Sequence, residues 1–377
     1  MRRILFVANG HGETAIAARI AAELESLSRA PLALDLIPLV GTGAGAAPLA
    51  LVGPRRAMPS GGLVAMGNVR AFSRDLRAGF IDLFVRQIAF LTSRRDRYDI
   101  VLAVGDAYAL ALALLVRLPA AFVGTAKSVY VAPYGPFERT LIRRAALAFV
   151  RDEPTAQRLR EQGVDARAPG NVIVDLVGEG VPLGPPRSIL GVIPGSREEA
   201  YADGVRLARV VRAAGELRPG LHAVLSVAPT LDAGRFARAL DADAWTVSAG
   251  EGERPFEATS GTTRLSAWSG EFGALLAASI AVIGQAGTAN EQAASCGVPV
   301  IALGAGGARE DWYRMRQRRL LGDALAIVPS DPQVAARAVD ALLRDEPRLE
   351  RMSAAGRERM GGRGGANAIA RAVLNLW

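Results

Sequence analysis

Short apolar runs alternate with helix-like stretches along most of the chain. The first run, at residues 4–8, ends in a glycine turn, and residues 14–27 behind it repeat apolar side chains with helical periodicity. Strands that are apolar at every position are typical of a parallel sheet covered by helices on both faces. The alternation therefore predicts an α/β fold with doubly wound sheets. The same pattern predicts further strands at residues 32–37, 100–104, 120–123, 146–150 and 166–168, and then at 188–193, 223–227, 245–248, 264–266, 280–283 and 298–303.

The length of the chain and one break in this pattern indicate two domains. A chain of 377 residues is longer than one compact core usually supports. Glycine and proline are dense at residues 178–186, as expected of an interdomain linker. We therefore predict two Rossmann-like, doubly wound domains that face a cleft. The predicted boundaries are 1–177 for the first domain, 178–187 for the linker, 188–345 for the second domain and 346–377 for terminal helices, of which the last could pack back on the first domain.

The composition of the chain indicates its cellular compartment and the kinds of partner that it can bind. Cys296 is the only cysteine, which excludes an internal disulfide and suits a reducing compartment. No apolar run reaches the roughly 18 residues of a membrane-spanning helix, and the first run is too short for a signal peptide. We therefore expect a cytoplasmic protein, either a monomer or a homodimer. The net charge of +8 suits anionic partners, whereas no nucleic-acid motif is present and two histidines alone cannot form a structural zinc site.

Two turns of small residues follow predicted strands in the second half. Residues 284–288 read Gly-Gln-Ala-Gly-Thr and lead into a helix, whose free amides would point at the oxygens of an anion. Residues 194–197 read Pro-Gly-Ser-Arg and also follow a strand. Open α/β sheets bind ligands at this carboxyl edge, although a plain βα turn and a helix cap with a solvated arginine are the alternatives. The predicted phosphate-binding residues are Gly195, Ser196, Arg197, Gln285, Gly287 and Thr288.

Several motifs together resemble one enzyme family. Residues 194–197, 287–289 (Gly-Thr-Ala) and 297–300 (Gly-Val-Pro-Val) are similar to the nucleotide-binding signatures of lipid-A-disaccharide synthases. In the first half, residues 63–67 (Leu-Val-Ala-Met-Gly), 105–106, 170–171 and Asp175 agree with that family in order. Residues 9–13 (Asn-Gly-His-Gly-Glu) look most like a branch described only as related to the synthase.

The resemblance implies the GT-B fold, with a UDP-sugar on the second domain and a lipid acceptor on the first. It also implies inversion at the anomeric carbon with neither a metal nor another cofactor. The glutamate with which this family binds the ribose falls on Gln292, with Glu291 beside it. Both are therefore predicted ribose contacts, although the change to glutamine departs from the family pattern.

Two residues are candidates for the general base that such a transfer needs. Asp106 follows the predicted strand 100–104, and the resemblance matches it to the aspartate thought to activate the acceptor; capping of the next helix is the alternative. His11 lies in the first βα turn, and an imidazole can act as a base near neutral pH. The residues predicted to contact the acceptor are Asn9, Glu13, Lys127 and Asn171.

Residues 69–97 interleave apolar side chains with arginines at helical spacing, with a break at Gly79. Such a helix either faces the core or lies peripherally on an anionic membrane.

From the motifs and the resemblance together, we predict an enzyme that moves a hexose or N-acetylhexosamine from a UDP-sugar to a lipid-linked acceptor. One alternative is a UDP-sugar 2-epimerase, which would need more acid/base carboxylates and no lipid acceptor. The other is a non-catalytic protein that binds a sugar nucleotide or a lipid.

Overall fold

The computed structural model describes residues 1–56, 76–178, 180–304 and 308–376, with His11 and residues 308–311 described by their backbone alone. The chain divides into two compact units: Met1–Leu176 together with Gly361–Trp377, and Val177–Met360. The described part of the predicted linker 178–187 therefore belongs to the second unit. The predicted motif at residues 63–67 and the start of the predicted amphipathic helix at residues 69–75 lie outside the described residues.

The first unit contains a 6-stranded sheet in which all neighbouring strands are parallel, in the order β3-β2-β1-β4-β5-β6. Its strands are β1 (Arg2–Ala8), β2 (Leu32–Pro38), β3 (Ala50–Leu51), β4 (Ile100–Gly105), β5 (Ala120–Gly124) and β6 (Leu147–Val150). The helices between and after these strands are α1 (His11–Leu27), α2 (Phe80–Thr92), α3 (Ala107–Leu114), α4 (Pro136–Ile142), α5 (Glu153–Glu161) and α6 (Val172–Asp175).

Both faces of this sheet are buried. Successive side chains of a strand point to opposite faces. In β1, Ile4 and Phe6 accordingly join one apolar layer, and Leu5 and Val7 join the layer on the other side. The strands are apolar at every position because helices cover both faces of the sheet.

The second unit contains an 8-stranded sheet in the order β14-β13-β12-β7-β8-β11-β10-β9. Its strands are β7 (Ile189–Ile193), β8 (His222–Ser226), β9 (Thr246–Glu251), β10 (Arg254–Ser260), β11 (Thr263–Trp268), β12 (Ser279–Gly284), β13 (Val300–Leu303) and β14 (Leu325–Val328). Its helices are α7 (Ala200–Leu217), α8 (Ala233–Asp241), α9 (Phe272–Ala278), α10 (Thr288–Ser295), α11 (Ala308–Leu321), α12 (Pro332–Arg344) and α13 (Glu346–Met360).

One edge of this sheet departs from the predicted parallel plan. β10 pairs antiparallel with both β9 and β11, so that the three strands form two successive hairpins. Gly252 and Gly261 make the tight turns, with φ of 57° and 58°. The prediction missed β10 because its exposed positions are polar and its apolar positions, such as Phe256 and Ala258, are too few to form a run. It also missed β14, which follows the 3₁₀ turn Gly322–Ala324.

The last described helix, α14 (Gly365–Leu374), returns to the first unit. Its apolar residues Ile369 and Val373 are buried in the same layer as Ile4 and Phe6. The start of the helix is held by Asp175, whose carboxylate accepts hydrogen bonds from the N–H groups of Gly364 and Ala366, both at 2.7 Å. This cap comes from a residue that precedes the whole second unit.

The described part of the predicted amphipathic segment forms α2, which begins after Gly79 with its φ of 88°. Leu83 and Leu91 are buried in the first unit, whereas Ile81 is 62% exposed. The apolar face of α2 is therefore largely a core-facing one. Among the described residues, no helix combines the length and the apolar character that crossing a bilayer requires.

Candidate functional site

In the second sheet, the two predicted phosphate turns lie side by side. β7 and β12 are neighbours at the point where the strand order reverses, because the chain continues from β7 to β8 on one side and from β12 to β13 on the other. Gly284 at the end of β12 pairs with Ile193 at the end of β7, and the N–H of Gln285 donates to the carbonyl of Ile193 at 2.9 Å. Ligands of open α/β sheets bind at such a reversal.

The turn at residues 284–288 offers a row of free backbone donors. α10 begins at Thr288 without a side-chain cap on its first amides. The amides from Ala286 to Asn290 have no acceptor among the described residues. Gly287 and Thr288 are exposed, and a Cβ added to Gly287 would meet nothing within 4 Å. Unpaired amides at an open helix start favour an anion, with a dipole contribution of about 0.3–1 kcal/mol.

The neighbouring loop at residues 194–197 adds a cation. Gly195 has φ of 123°, a conformation that glycine adopts readily, and Ser196 and Arg197 are exposed. The carbonyl of Ser196 accepts a hydrogen bond from Thr230 Oγ1 at 2.9 Å, which holds the loop, whereas the Arg197 guanidinium has no partner in the described part of the chain. An unpaired guanidinium on the loop next to the open amides is suited to a phosphate.

The two predicted ribose contacts, Glu291 and Gln292, lie half-buried in the first turns of α10. They follow the open amides directly along the helix. The structure thus brings all of the residues predicted to bind the nucleotide to one edge of one sheet.

The first sheet has its own strand-order reversal, between β1 and β4. Asn9 follows β1 and Asp106 follows β4, and Asn9 Nδ2 donates to Asp106 Oδ2 at 3.0 Å. The other oxygen of Asp106 accepts from the amides of Tyr108 and Ala109 at 3.0 and 3.2 Å, so that Asp106 is the N-cap of α3. Asp106 therefore caps α3, as the alternative interpretation expected, and its role as a general base stays a prediction.

Glu13 of α1 lies at the same reversal. Its Oε1 is 3.4 Å from Thr125 Oγ1, just beyond β5. A Cβ added to Gly105 would come within 3.2 Å of Glu13 Cγ and 3.3 Å of Asn9 Cβ, which shows how closely these side chains cross the strand end. The backbone of His11 begins α1 here.

Lys127 forms an ion pair that the sequence did not predict. Its Nζ lies 2.6 Å from Glu138 Oε2, and the same oxygen accepts the amide of Gly135 at 2.7 Å at the start of α4. Glu138 Oε1 has no partner among the described residues. The glutamate two residues after Pro136 could have been recognised as a helix-start residue, but nothing in the sequence indicates that it lies beside Lys127.

Buried polar groups lie next to this ion pair. The hydroxyl of Tyr134 and Oδ2 of Asp152 are buried with no hydrogen-bond partner in the described part of the chain. Burial, and then the charge of Glu138, raises the pKa of the Tyr134 phenol. Likewise burial, and then Asp106, raises the pKa of Tyr108 to about 12. Tyrosines that stay protonated among carboxylates can donate hydrogen bonds to a polar ligand.

Asn171 has a structural role. It is buried, and its side-chain oxygen accepts the amide of Ile173 at 3.2 Å as the N-cap of α6. Its own amide donates to the carbonyl of Gly362 at 2.9 Å. Gly170 beside it has φ of 130°, and a Cβ there would come within 2.8 Å of Gly365 N. The Gly-Asn motif thus supports the return of the chain to α14, and the acceptor contact predicted for Asn171 has no support in this geometry.

Solved structures resemble the chain over its whole length. A UDP-N-acetylglucosamine 2-epimerase described as putative, from Listeria monocytogenes, has a TM-score of 0.62 at 14% identity and covers 100% of this chain and 96% of its own. The UDP-GlcNAc 2-epimerase of Methanocaldococcus jannaschii has a TM-score of 0.55 at 13% identity, with 100% of both chains covered. A glycosyltransferase from Streptomyces nogalater, SnogD, has a TM-score of 0.52 at 17% identity and covers 100% and 99%. No protein-family model and no curated protein sequence matches the chain.

These similarities correct the predicted function. Transfer of a sugar to a lipid-linked acceptor is wrong as the main interpretation, because UDP-GlcNAc 2-epimerases recur among the similar structures and fit the alternative better. Glycosyltransferases are also among them, so that the likeness does not single out lipid-A-disaccharide synthases. At these identities the likeness establishes the architecture, and the chain has the GT-B fold.

Proposed function

We propose that this chain is a UDP-sugar 2-epimerase, which inverts carbon 2 of the N-acetylhexosamine in a substrate such as UDP-N-acetylglucosamine. Structures similar to this chain include a Staphylococcus aureus protein, MnaA, solved with UDP, and the M. jannaschii epimerase solved with UDP-GlcNAc and UDP. The open amides of α10 and the free guanidinium of Arg197 support a diphosphate site in the second unit.

The observation that carries the proposal is the collection of acid/base groups at one edge of the first sheet. Glu13, Asp106 and Glu138 lie there together with Lys127. Carbon 2 has no carbonyl beside it, so a base that removes its proton must act while the C1–O bond breaks, which gives a C1=C2 double bond and free UDP. UDP then adds back to carbon 1 while an acid delivers a proton to the opposite face of carbon 2. Transfer to an external acceptor needs a single base, so a group of carboxylates suits epimerisation better.

Glu138 is the side chain best placed for one of these proton transfers. Lys127 and the amide of Gly135 hold its Oε2, which leaves Oε1 available to a ligand. The diphosphate amides would stabilise negative charge that develops on the nucleotide side while the sugar reacts. Side chains and backbone carry these steps, which require neither a metal nor an organic cofactor.

The test is incubation with UDP-N-acetylglucosamine in D₂O and EDTA, followed by proton NMR. We expect the 2-epimer of the sugar nucleotide to form, with deuterium at carbon 2 in the product. Glu138→Gln should lower the rate by about 100-fold or more, the usual contribution of a general acid or base. The matched control is Glu153→Gln, because Glu153 is also paired with a cation, Arg160, but on the outer side of α5. Release of UDP and free sugar without epimer, or no reaction at all, would refute the proposal.

A further inference from the structure

The carbonyl groups of the phosphate turn are held by side chains from elsewhere in the second unit. Asn290 Nδ2 donates to the carbonyl of Gly284 at 3.2 Å. Arg314 Nη2, from α11, donates to the carbonyl of Gln285 at 3.1 Å. Gln317 Nε2, one turn further along α11, donates to the carbonyls of Ala286 and Gly287 at 3.1 and 3.2 Å. Every carbonyl from 284 to 287 therefore has a side-chain donor.

Gln317 is the centre of this network. Its Oε1 accepts hydrogen bonds from Asn290 Nδ2 at 3.3 Å and from Arg314 Nη1 at 3.2 Å. A glutamine amide has two donor hydrogens and one oxygen with two lone pairs, and all of them are used here. Gln317 is 8% exposed. If the Gln317 amide group were rotated by 180°, its Oε1 would face the carbonyl oxygens of Ala286 and Gly287 and repel them. The hydrogen bonds therefore fix one orientation of this amide.

Holding these carbonyls determines where the amides point. In a trans peptide unit the carbonyl of one residue and the N–H of the next point in opposite directions. When the carbonyls of Gln285, Ala286 and Gly287 face α11, the amides of the next residues, Ala286 to Thr288, face away from it. These are the amides that have no acceptor in the described structure and that border the exposed Gly287.

We propose that Gln317, together with Arg314, is a positioning residue that holds the phosphate turn with its amides turned towards the nucleotide diphosphate. This inference rests on the proposed function, because it takes the turn to be the nucleotide site. Neither residue needs to touch the ligand. Without the donors of Gln317, carbonyl oxygens of the turn could rotate towards the ligand and repel its phosphates.

The first test compares two buried glutamines. Gln317→Met keeps the length of the side chain and adds no charge, but it removes the donors to the turn. Gln87→Met is the matched control, because Gln87 is 1% exposed and its Nε2 likewise donates to two carbonyls, those of Leu39 and Pro54, in the first unit. We expect both variants to melt at lower temperature. Only Gln317→Met should bind UDP more weakly, with a Kd raised by about ten-fold or more in calorimetry, as expected from the loss of one or two hydrogen bonds.

Arg314→Lys gives a second, milder variant. It keeps the positive charge, but an ammonium group cannot bridge the Gln285 carbonyl and Gln317 Oε1 as the guanidinium fork does. We expect a Kd for UDP raised several-fold with little change in melting temperature, and this variant decides the matter if Gln317→Met does not fold. Unchanged UDP affinity in the variants, or equal weakening in Gln87→Met, would overturn the inference and leave the proposed function intact. Failure of the unaltered protein to bind UDP would instead refute the proposed nucleotide site, and the inference with it.

Discussion

At the scale of single residues, His222 gives the stability of the second unit a defined dependence on pH. It begins β8, is half-buried, and places Nε2 3.0 Å from Ser266 Oγ. Burial, followed by the positive charges of Arg264 and Arg254, lowers the pKa of its imidazole below the ordinary 6.5. A group with a lowered pKa binds fewer protons in the folded than in the unfolded state, so acidification through 6.5 towards the folded pKa favours unfolding.

The corresponding prediction concerns His222→Gln, which can still hydrogen-bond to Ser266 but cannot titrate. The free energy of unfolding, measured in urea, should fall less in the variant than in the unaltered protein when the pH is lowered from about 7.5 to about 5.5. A fall of the same size in both proteins would contradict the assigned pKa shift.

Residues of the candidate site differ in how far the sequence could predict them. The turns at 194–197 and 284–288 were predictable because small residues directly follow apolar strands, and strand ends meet at one edge of a sheet. Gln317 was not, because it is one polar residue in a helix rich in arginine, far along the chain from the turn that it holds. The ion pair of Lys127 with Glu138 was missed for the same reason, because contact between separate segments of the chain leaves no periodic pattern in the sequence.

At the scale of elements, the cap of α14 is the feature with the clearest energetic consequence. Asp175→Ala removes a carboxylate that accepts two amides at the start of the helix. We expect a loss of about 0.5–2 kcal/mol in the free energy of unfolding, the range for a helix cap. Protease should also cleave the C-terminal segment faster.

Asp331→Ala is the control for that variant. Asp331 caps α12 by accepting the amides of Gln333 and Val334, so its loss should cost a similar free energy. The C-terminal segment should nevertheless remain resistant to protease, because α12 belongs to the second unit. If both variants release the segment equally, Asp175 does not hold α14 specifically.

Elements also differed in how well their patterns predicted them. Buried parallel strands such as β4 and β5 are uniformly apolar, and their predicted positions agree with the structure to within one residue at each end. β10 lies at the antiparallel edge of the sheet, where part of the strand is exposed to solvent. Its exposed positions are polar, so the strand has no continuous apolar run by which it could be predicted. The helix α14 lies within the terminal helices predicted for residues 346–377, whereas its cap by Asp175 depends on a contact that no local pattern contains.

At the scale of the whole molecule, the first unit is assembled from two stretches of chain. A variant that ends at Met360 lacks α14 and leaves the apolar layer of Ile4 and Phe6 without Ile369 and Val373. Each such side chain contributes roughly 1.5–3 kcal/mol when buried. Hydrogen exchange followed by mass spectrometry should show lost protection in β1 and β4 but preserved protection in β7 and β12. Equal loss in both units would show that α14 supports the molecule in some other way.

The return of α14 has a further consequence for how the protein is made. A ribosome completes residues 1–176, and then the whole of 177–360, before it synthesises the segment that closes the first unit. The second unit has its full core as soon as Met360 has emerged, whereas the earlier-made unit must wait for residues 361–377. Domains usually fold in the order of synthesis. In this chain the order is reversed: the half translated first is the last that can finish folding.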